Sequence, residues 1–352
     1  MATPSEPAPM PRPTQGALVI GALVGVIALV ILIAASDSPP KVADVEPVGQ
    51  LTSDLDFGTY TVAPDAVTDG DTLRVPQRGS VRVIGIDCEE LFKTDQERES
   101  ATRDFAVYAA ERRGDSALPV KYGTPAGEAA RDAARELIGA AGRVRLEKDD
   151  TAASDRDGFG RTLAHVVLLT AEGESLLAEA LIEQGHSPYF VKYGRSLRYD
   201  RRLARAERRA QVHRRGIWSA TGPDHYPDYD ERLAWWHERA DQVDRWRARA
   251  DSPADVALEQ ADAEERLRAR IDEQTTVFGV LRARRETGSP RILWLRHLPR
   301  RDFAAVVFNV ELWDSLDHAA LDRGFVTVTG PITLYRDRPQ ILVEHATQIG
   351  MP

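Results

Sequence analysis

The sequence predicts an α+β protein, mainly β with packed helices, built as two strand-rich regions joined by a charged helical stretch. Three observations predict it. Short runs of alternating apolar and polar residues recur in residues 59–169 and again in 275–349. An Ala-rich segment, Gly127–Ala141, carries a helical pattern inside the first region. Between the regions, Asp230–Gln274 is dense in charge and helix formers, with a break near Ser252-Pro253.

The elements follow in chain order. The 352 residues suffice for two or three domains of about 100–200 residues each. Residues 1–15 are Pro-rich and read as a disordered tail. Gly16–Ala35 is uncharged and almost wholly apolar, and a helix of that length spans a bilayer core of about 30 Å. It is read as one N-terminal transmembrane helix. Ala34 and Ser36 leave a cleavable signal peptide open. Arg12 precedes the span and Lys41 follows it among acids, so the expectation is a single-pass membrane protein with everything after the span extracytoplasmic. Residues 36–58 form a linker, 59–221 one mixed domain, 222–274 a helical spacer and 275–352 a second strand-rich domain.

Within the mixed domain the expected strands are Thr59–Val62, Thr72–Val75, Val81–Ile86, Val144–Lys148 and Thr162–Leu169. Helices are expected near Leu176–Gln184 and over Leu197–Arg215, the latter stopped by Gly216. The polar stretch 92–121, with one helical pattern at Arg103–Arg112, reads as an inserted surface excursion. The spacer reads as a solvated helical hairpin. The later strands are Val277–Arg284, Arg291–Arg296, Ala304–Val310, Phe325–Thr329 and Gln340–Glu344, with Trp294, Phe308 and Trp313 in the core.

Charge and cysteine content exclude some classes. The net charge of −9 has the wrong sign for attracting phosphate over the whole chain, so nucleic-acid binding requires local basic patches. One such patch is Lys192–Arg215, where only Asp200 and Glu207 oppose the cations; it is expected to track a phosphate backbone. The lone Cys88 excludes an internal disulfide and a thiolate zinc site.

Three clusters carry chemistry. Val67-Thr68-Asp69-Gly70-Asp71-Thr72-Leu73 turns tightly between two acids. Val81-Arg82-Val83-Ile84-Gly85-Ile86-Asp87-Cys88-Glu89-Glu90 is a buried-looking strand ending in acids. Asp157-Gly158-Phe159-Gly160-Arg161-Thr162 presents an arginine at a strand start. Each alone is ordinary turn or loop chemistry; the set in this order is far more specific. Arg82 and Asp87 differ by an odd number of positions, so an unbroken strand would point them to opposite faces. A bulge or bend near Gly85 is required.

With Lys121-Tyr122-Gly123-Thr124-Pro125, Ala180-Leu181-Ile182-Glu183-Gln184-Gly185 and Arg215-Gly216-Ile217-Trp218-Ser219, these clusters resemble the staphylococcal nuclease (thermonuclease) family over residues 59–219. The resemblance implies a five-stranded OB barrel with packed helices and hydrolysis of phosphodiesters to 3′-phosphate products. It implies Ca2+ held by Asp71, Asp87 and the Cys88 carbonyl, with Arg82 and Arg161 on the phosphate. Glu90 becomes the general base, in preference to Glu89, and Phe159 and Tyr193 lie near the nucleotide. Two departures stand out. Cys88-Glu89 replaces the family's Thr-Pro, and Val191 replaces a tyrosine.

The C-terminal region resembles a nucleic-acid-binding OB-fold through Val277-Phe278-Gly279-Val280, Arg291-Ile292-Leu293-Trp294-Leu295, Phe325-Val326-Thr327-Val328-Thr329-Gly330 and Leu334-Tyr335-Arg336-Asp337-Arg338. Tyr335, Arg336 and Arg338 are its candidate contacts to a single strand. The expected partners are DNA and/or RNA and the membrane, with no protein partner predicted. Two rival readings are a catalytically inactive nucleic-acid-binding or scaffolding module, and an assembly protein using both barrels for protein contacts.

Overall fold

The computed structural model describes residues 52–219, 228–295 and 302–352. The expected tail, transmembrane helix and most of the linker lie outside them. Among the described residues no helix is long and apolar enough to cross a membrane.

The first sheet begins with β1 (Asp56–Thr61), β2 (Val67–Asp69), β3 (Thr72–Val75) and β4 (Gly79–Val83). Two helices follow, α1 (Asp95–Arg103) and α2 (Phe105–Arg113), then α3 (Pro125–Ala141). Next come β5 (Arg143–Glu147), β6 (Thr162–Thr170), β7 (Gly173–Leu176), α4 (Leu177–Glu183) and α5 (Asp200–Val212). Hydrogen bonding runs β1-β5-β6-β4-β3-β2, with β7 on β6. β4 and β6 are parallel; the other pairs are antiparallel. The ends of this path, β1 and β2, are joined by residues 62–66, so the sheet curls back on itself.

α3 starts where the sequence says it should. The Thr124 side chain accepts from the Gly127 amide, Pro125 occupies the first turn, and Gly142 takes a left-handed φ that ends the helix. Its buried stripe, Ala130, Ala134 and Ile138, joins the core of the first sheet. Gly127 packs directly on the Glu89 and Glu90 carbonyls, leaving no room for a Cβ. The helix entry is thereby pressed against the acidic loop.

Two expectations are corrected. The 92–121 stretch is not merely a surface excursion: α1 and α2 bury Ala101, Tyr108 and Ala109 against Tyr122, Ala126, Ile217 and Tyr229. The expected helical pattern at Arg103–Arg112 is α2, and α1 precedes it unforeseen; Asp104 ends α1 and caps α2 through the Val107 amide. Nor is the stretch after 228 a solvated hairpin. α6 (Tyr229–Arg249) buries Trp235, Trp236 and Ala240 in the first core and Val243 and Trp246 against Phe278 and Phe325. The ring of Phe278 stacks between Trp246, 4.7 Å away, and Phe325, 4.8 Å away.

The remaining elements are β8 (Asp255–Ala257), α7 (Ala263–Arg268), β9 (Gln274–Arg285), β10 (Arg291–Leu295) and β11 (Phe303–Val307), then α8 (Val310–Asp314), α9 (His318–Arg323), β12 (Phe325–Tyr335), β13 (Arg338–Val343) and β14 (Ile349–Gly350). The pairings β9-β10-β11-β13-β12 and back to β9 form a circuit; β8 adds beside β9 and β14 beside β12. Val277, Leu293, Leu295, Val307, Val328 and Ile341 fill its interior. Trp313 is buried as expected and Trp294 partly so, but Phe308 is 60% exposed because β11 ends at Val307.

Candidate active site

The acids and arginines are brought together by three local features. At the β2–β3 turn, Asp69 Oδ1 accepts from the Asp71 amide at 3.1 Å, which aims Asp71 inward, where it is 4% exposed. β4 ends at Val83, and Gly85 turns the chain with φ +89°. That is the bend the odd spacing required. Arg82 Nη2 now donates to the Ile86 carbonyl at 3.1 Å and to Asp87 Oδ1 at 2.5 Å. Arg82 Nη1 pairs with Asp71 Oδ1, so one guanidinium bridges both acids. The Asp87 amide donates to Ser187 Oγ at 2.9 Å, pinning the loop to the segment after α4.

The third feature is the tight 157–161 turn. Asp157 Oδ1 accepts the Phe159 and Arg161 amides, and Asp157 Oδ2 accepts from Arg161 Nε at 2.7 Å. Arg161 Nη1 reaches Thr72 Oγ1 at 3.2 Å, and that hydroxyl donates to Asp71 Oδ1 at 3.0 Å. A short polar chain therefore links the second arginine to the buried acid.

Electrostatics matches this geometry. Burial favours the neutral form of Arg82, but Asp71 and Asp87 outweigh it and raise its pKa. Burial likewise opposes ionisation of Asp87, and Lys121 and Arg82 overcome it, holding the carboxyl below its ordinary range. Asp69 goes the other way: burial and the Asp71 charge push it up to about 6. Burial drives the Cys88 thiol well above its usual pKa, which favours the protonated thiol. The Cys88 amide donates to Asp71 Oδ2 at 3.1 Å.

The two neighbouring glutamates differ sharply. Glu89 is 2% exposed; its Oε1 accepts from Tyr229 Oη at 2.8 Å and pairs with Arg232 at 2.5 Å. Glu90 is solvent-accessible and stands 3.5 Å from Lys121 Nζ. A cavity of about 940 Å³ is lined by Asp71, Arg82, Asp87, Cys88, Glu90 and Arg161, and also by Phe159 and Tyr193. Phe159 is 82% exposed, with Arg161 over its ring at 5.5 Å.

Tyr335, Arg336 and Arg338 are not part of that cavity. They sit on the exposed β12–β13 hairpin, whose turn is tied down by Arg268 Nη1 donating to Asp337 at 3.0 Å. Part of the basic segment 192–215 is tied down by ion pairs. Arg202 pairs with Glu179, Arg209 and Arg215 with Glu183, Arg198 with Glu147, and Arg195 with Asp241 and Asp244. These five arginines fasten α5 and its flanks to the fold.

Three groups stand closer to the site than the sequence reading placed them. Lys121, seen only as part of a helix entry, bonds the Cys88 carbonyl and lies 3.2 Å from Asp87. Asp69, seen as a turn acid, is a third carboxyl beside the site. Lys192 lines the cavity. The Lys121-Tyr122-Gly123 motif was the available signal for the first of these.

Among the described residues no group of three or more His, Cys, Asp or Glu forms a ready metal cage. The donors at hand are nevertheless all hard oxygens: Asp71, Asp87, Asp69 and the Cys88 carbonyl. Burial and the neighbouring Asp71 raise the pKa of Asp69. That chemistry suits an oxygen-seeking divalent cation, provided Lys121 yields the Cys88 carbonyl.

Comparison with known proteins finds similarity over the same part of the chain. Residues 80–220 match the family described as Staphylococcal nuclease homologue. The chain is also 28% identical to a thermonuclease of Staphylococcus hyicus over 214 residues, covering 60% of this chain and 99% of the relative. The family match begins at Ser80, so Asp69 and Asp71 lie before it and are tied to the site by geometry.

Proposed function

We propose that the chain is a membrane-anchored, calcium-dependent endonuclease that hydrolyses DNA and/or RNA to 3′-phosphate products, with its catalytic domain extracytoplasmic. The observation that carries this reading is the convergence of Asp71, Arg82, Asp87, Glu90 and Arg161 on one cavity. Nucleases of this family are generally calcium-dependent. Asp71, Asp87 and the Cys88 carbonyl would hold the ion, which when bound supplies positive charge to the phosphate.

The protein's own groups do the rest. Arg82 and Arg161 are anchored by Asp71, Asp87 and Asp157, so their planar forks are fixed before substrate arrives. They oppose the negative charge that grows on the phosphoryl oxygens. Glu90 is the accessible carboxylate, free to orient or deprotonate a water. Glu89 is already engaged by Arg232 and Tyr229, which supports Glu90 as the base. Retention of the acid and arginine set argues against the inactive-module reading.

Both sheets are read as OB-type, the second from its closed pairing circuit, and the hairpin Tyr335, Arg336 and Arg338 as a single-strand contact. The test is digestion of single- and double-stranded DNA and RNA with calcium, magnesium or chelator. Cleavage in calcium with 3′-phosphate ends supports the proposal; equal cleavage in chelator contradicts it. Protease accessibility on intact cells tests the topology, and a protected C-terminus would refute it.

A further inference from the structure

The loop carrying Asp87, Cys88, Glu89 and Glu90 is held from two sides. On one side its backbone is bonded to its surroundings. The Asp87 amide donates to Ser187 Oγ, the Cys88 amide to Asp71 Oδ2, and the Glu90 carbonyl accepts from the Thr124 amide at 3.0 Å. On the other side the loop is held through the Glu89 side chain. Glu89 Oε1 accepts from Tyr229 Oη at 2.8 Å and from Arg232 Nη1 at 2.5 Å, and all three residues are buried. Tyr229 and Arg232 lie in the first turn of α6, beyond the residues that match the nuclease family. The start of α6 is itself fixed. Arg113 of α2 pairs with Asp228 at 2.7 Å and with Glu231 at 3.0 Å, and Tyr229 packs in one cluster with Tyr108 and Tyr122.

Where this clamp acts follows from peptide geometry. The Cys88 carbonyl lies in the rigid plane that joins residues 88 and 89. One end of that plane is bonded to Asp71 and the other is tethered by Glu89. The next peptide leads directly to Glu90. Residues 84–91 contain no proline, so the stiffness of this loop comes from such bonds and not from a ring in the backbone. Resting on the nuclease reading, we infer that Glu89, Tyr229 and Arg232 are positioning residues for the cation and the base. Through residue 89 they hold the Cys88 carbonyl toward the calcium site and the Glu90 carboxylate next to it. Partners that orient a ligand in this way typically change metal affinity or activity about 10–100-fold when lost. The inserted helices α1 and α2 and the start of α6 then serve the site, although none of their side chains needs to touch substrate.

The test uses the full chain, calorimetric titration with calcium chloride alone, and cleavage of a single-stranded oligonucleotide at calcium concentrations saturating for each variant. Glu89→Leu with Arg232→Met removes the clamp and leaves no unpaired charge, so its thermal melting should stay close to that of the wild type. Its calcium affinity should fall at least about tenfold, and its kcat by a similar factor with KM little changed. Tyr229→Phe removes one hydrogen bond and should weaken calcium about threefold. Glu89→Gln keeps an oxygen that both donors can reach and should retain most of the affinity. Wild-type calcium affinity and kcat in the folded double variant overturn the inference; if that variant does not fold, unchanged calcium affinity in Tyr229→Phe does so. An equal loss in Glu89→Gln also overturns it, because the cation would then be sensing the Glu89 charge and not the tether. A wild type that neither binds calcium nor cleaves sinks the nuclease reading and the positioning role together. A wild type that does both, beside an unchanged double variant, sinks the positioning role alone.

Discussion

Arginine is used in opposite ways at the cleft and at the β12–β13 hairpin. In the cleft, Arg82 is nearly enclosed and bridges Asp71 and Asp87. On the hairpin, Arg336 stands at a left-handed turn position beside Tyr335, open to water. Burying a charge cluster costs desolvation that only good pairing offsets, and the return is charge fixed in place before substrate arrives. A surface arginine costs little, contributes little to stability and is screened by salt. The difference separates a site built for transition-state chemistry from one suited to holding a strand.

That contrast can be broken at four points. The largest effect is expected at the buried pair behind the acidic loop. Arg232→Met strands the Glu89 charge and should cost about 3–5 kcal/mol, measured by denaturant unfolding. The double change Glu89→Leu with Arg232→Met should recover most of it, because no unpaired charge remains. Next, Arg161→Ala and Glu90→Gln should each lower turnover at least about 100-fold, near the 2.7–4 kcal/mol typical of losing one preorganised group, with folding intact by circular dichroism.

Third is Asp149. Burial would raise its carboxyl, but hydrogen bonds from His165, Ser196 and the Leu197 amide outweigh this and hold it at about 2. A depressed folded pKa stabilises above the ordinary aspartate value and is lost as pH falls. Wild-type stability should therefore drop by roughly 2 kcal/mol between about pH 4 and pH 2 from this group. In Asp149→Asn that part of the acid limb should flatten. The smallest structural effect belongs to the hairpin: Tyr335, Arg336 and Arg338 all changed to Ala should shift stability by less than about 0.5 kcal/mol. The same variant should weaken single-strand binding several-fold at low salt, with the difference vanishing as salt rises.

Much of this was legible in the sequence. The sequence placed β3 to the residue and β6 to within one, because both are short β-prone runs bounded by turn residues. The parity of Arg82 and Asp87 demanded a bend, and Gly85 supplies it. What was not legible came from contacts between distant segments. Nothing local says that Glu89 will meet Tyr229 and Arg232, 140 and 143 positions away. The α6 stripe of Trp236, Ala240 and Val243 was readable at helical spacing, yet its charge density made it look solvated. The arginines of α5 misled for the same reason: composition shows charges but not their partners.

The most direct measurement is cleavage of a single-stranded oligonucleotide by the wild-type chain and by Arg161→Ala, each with calcium and with chelator. The account predicts activity only for the wild type in calcium, leaving 3′-phosphate ends. Activity that survives both the chelator and the loss of Arg161 would contradict it.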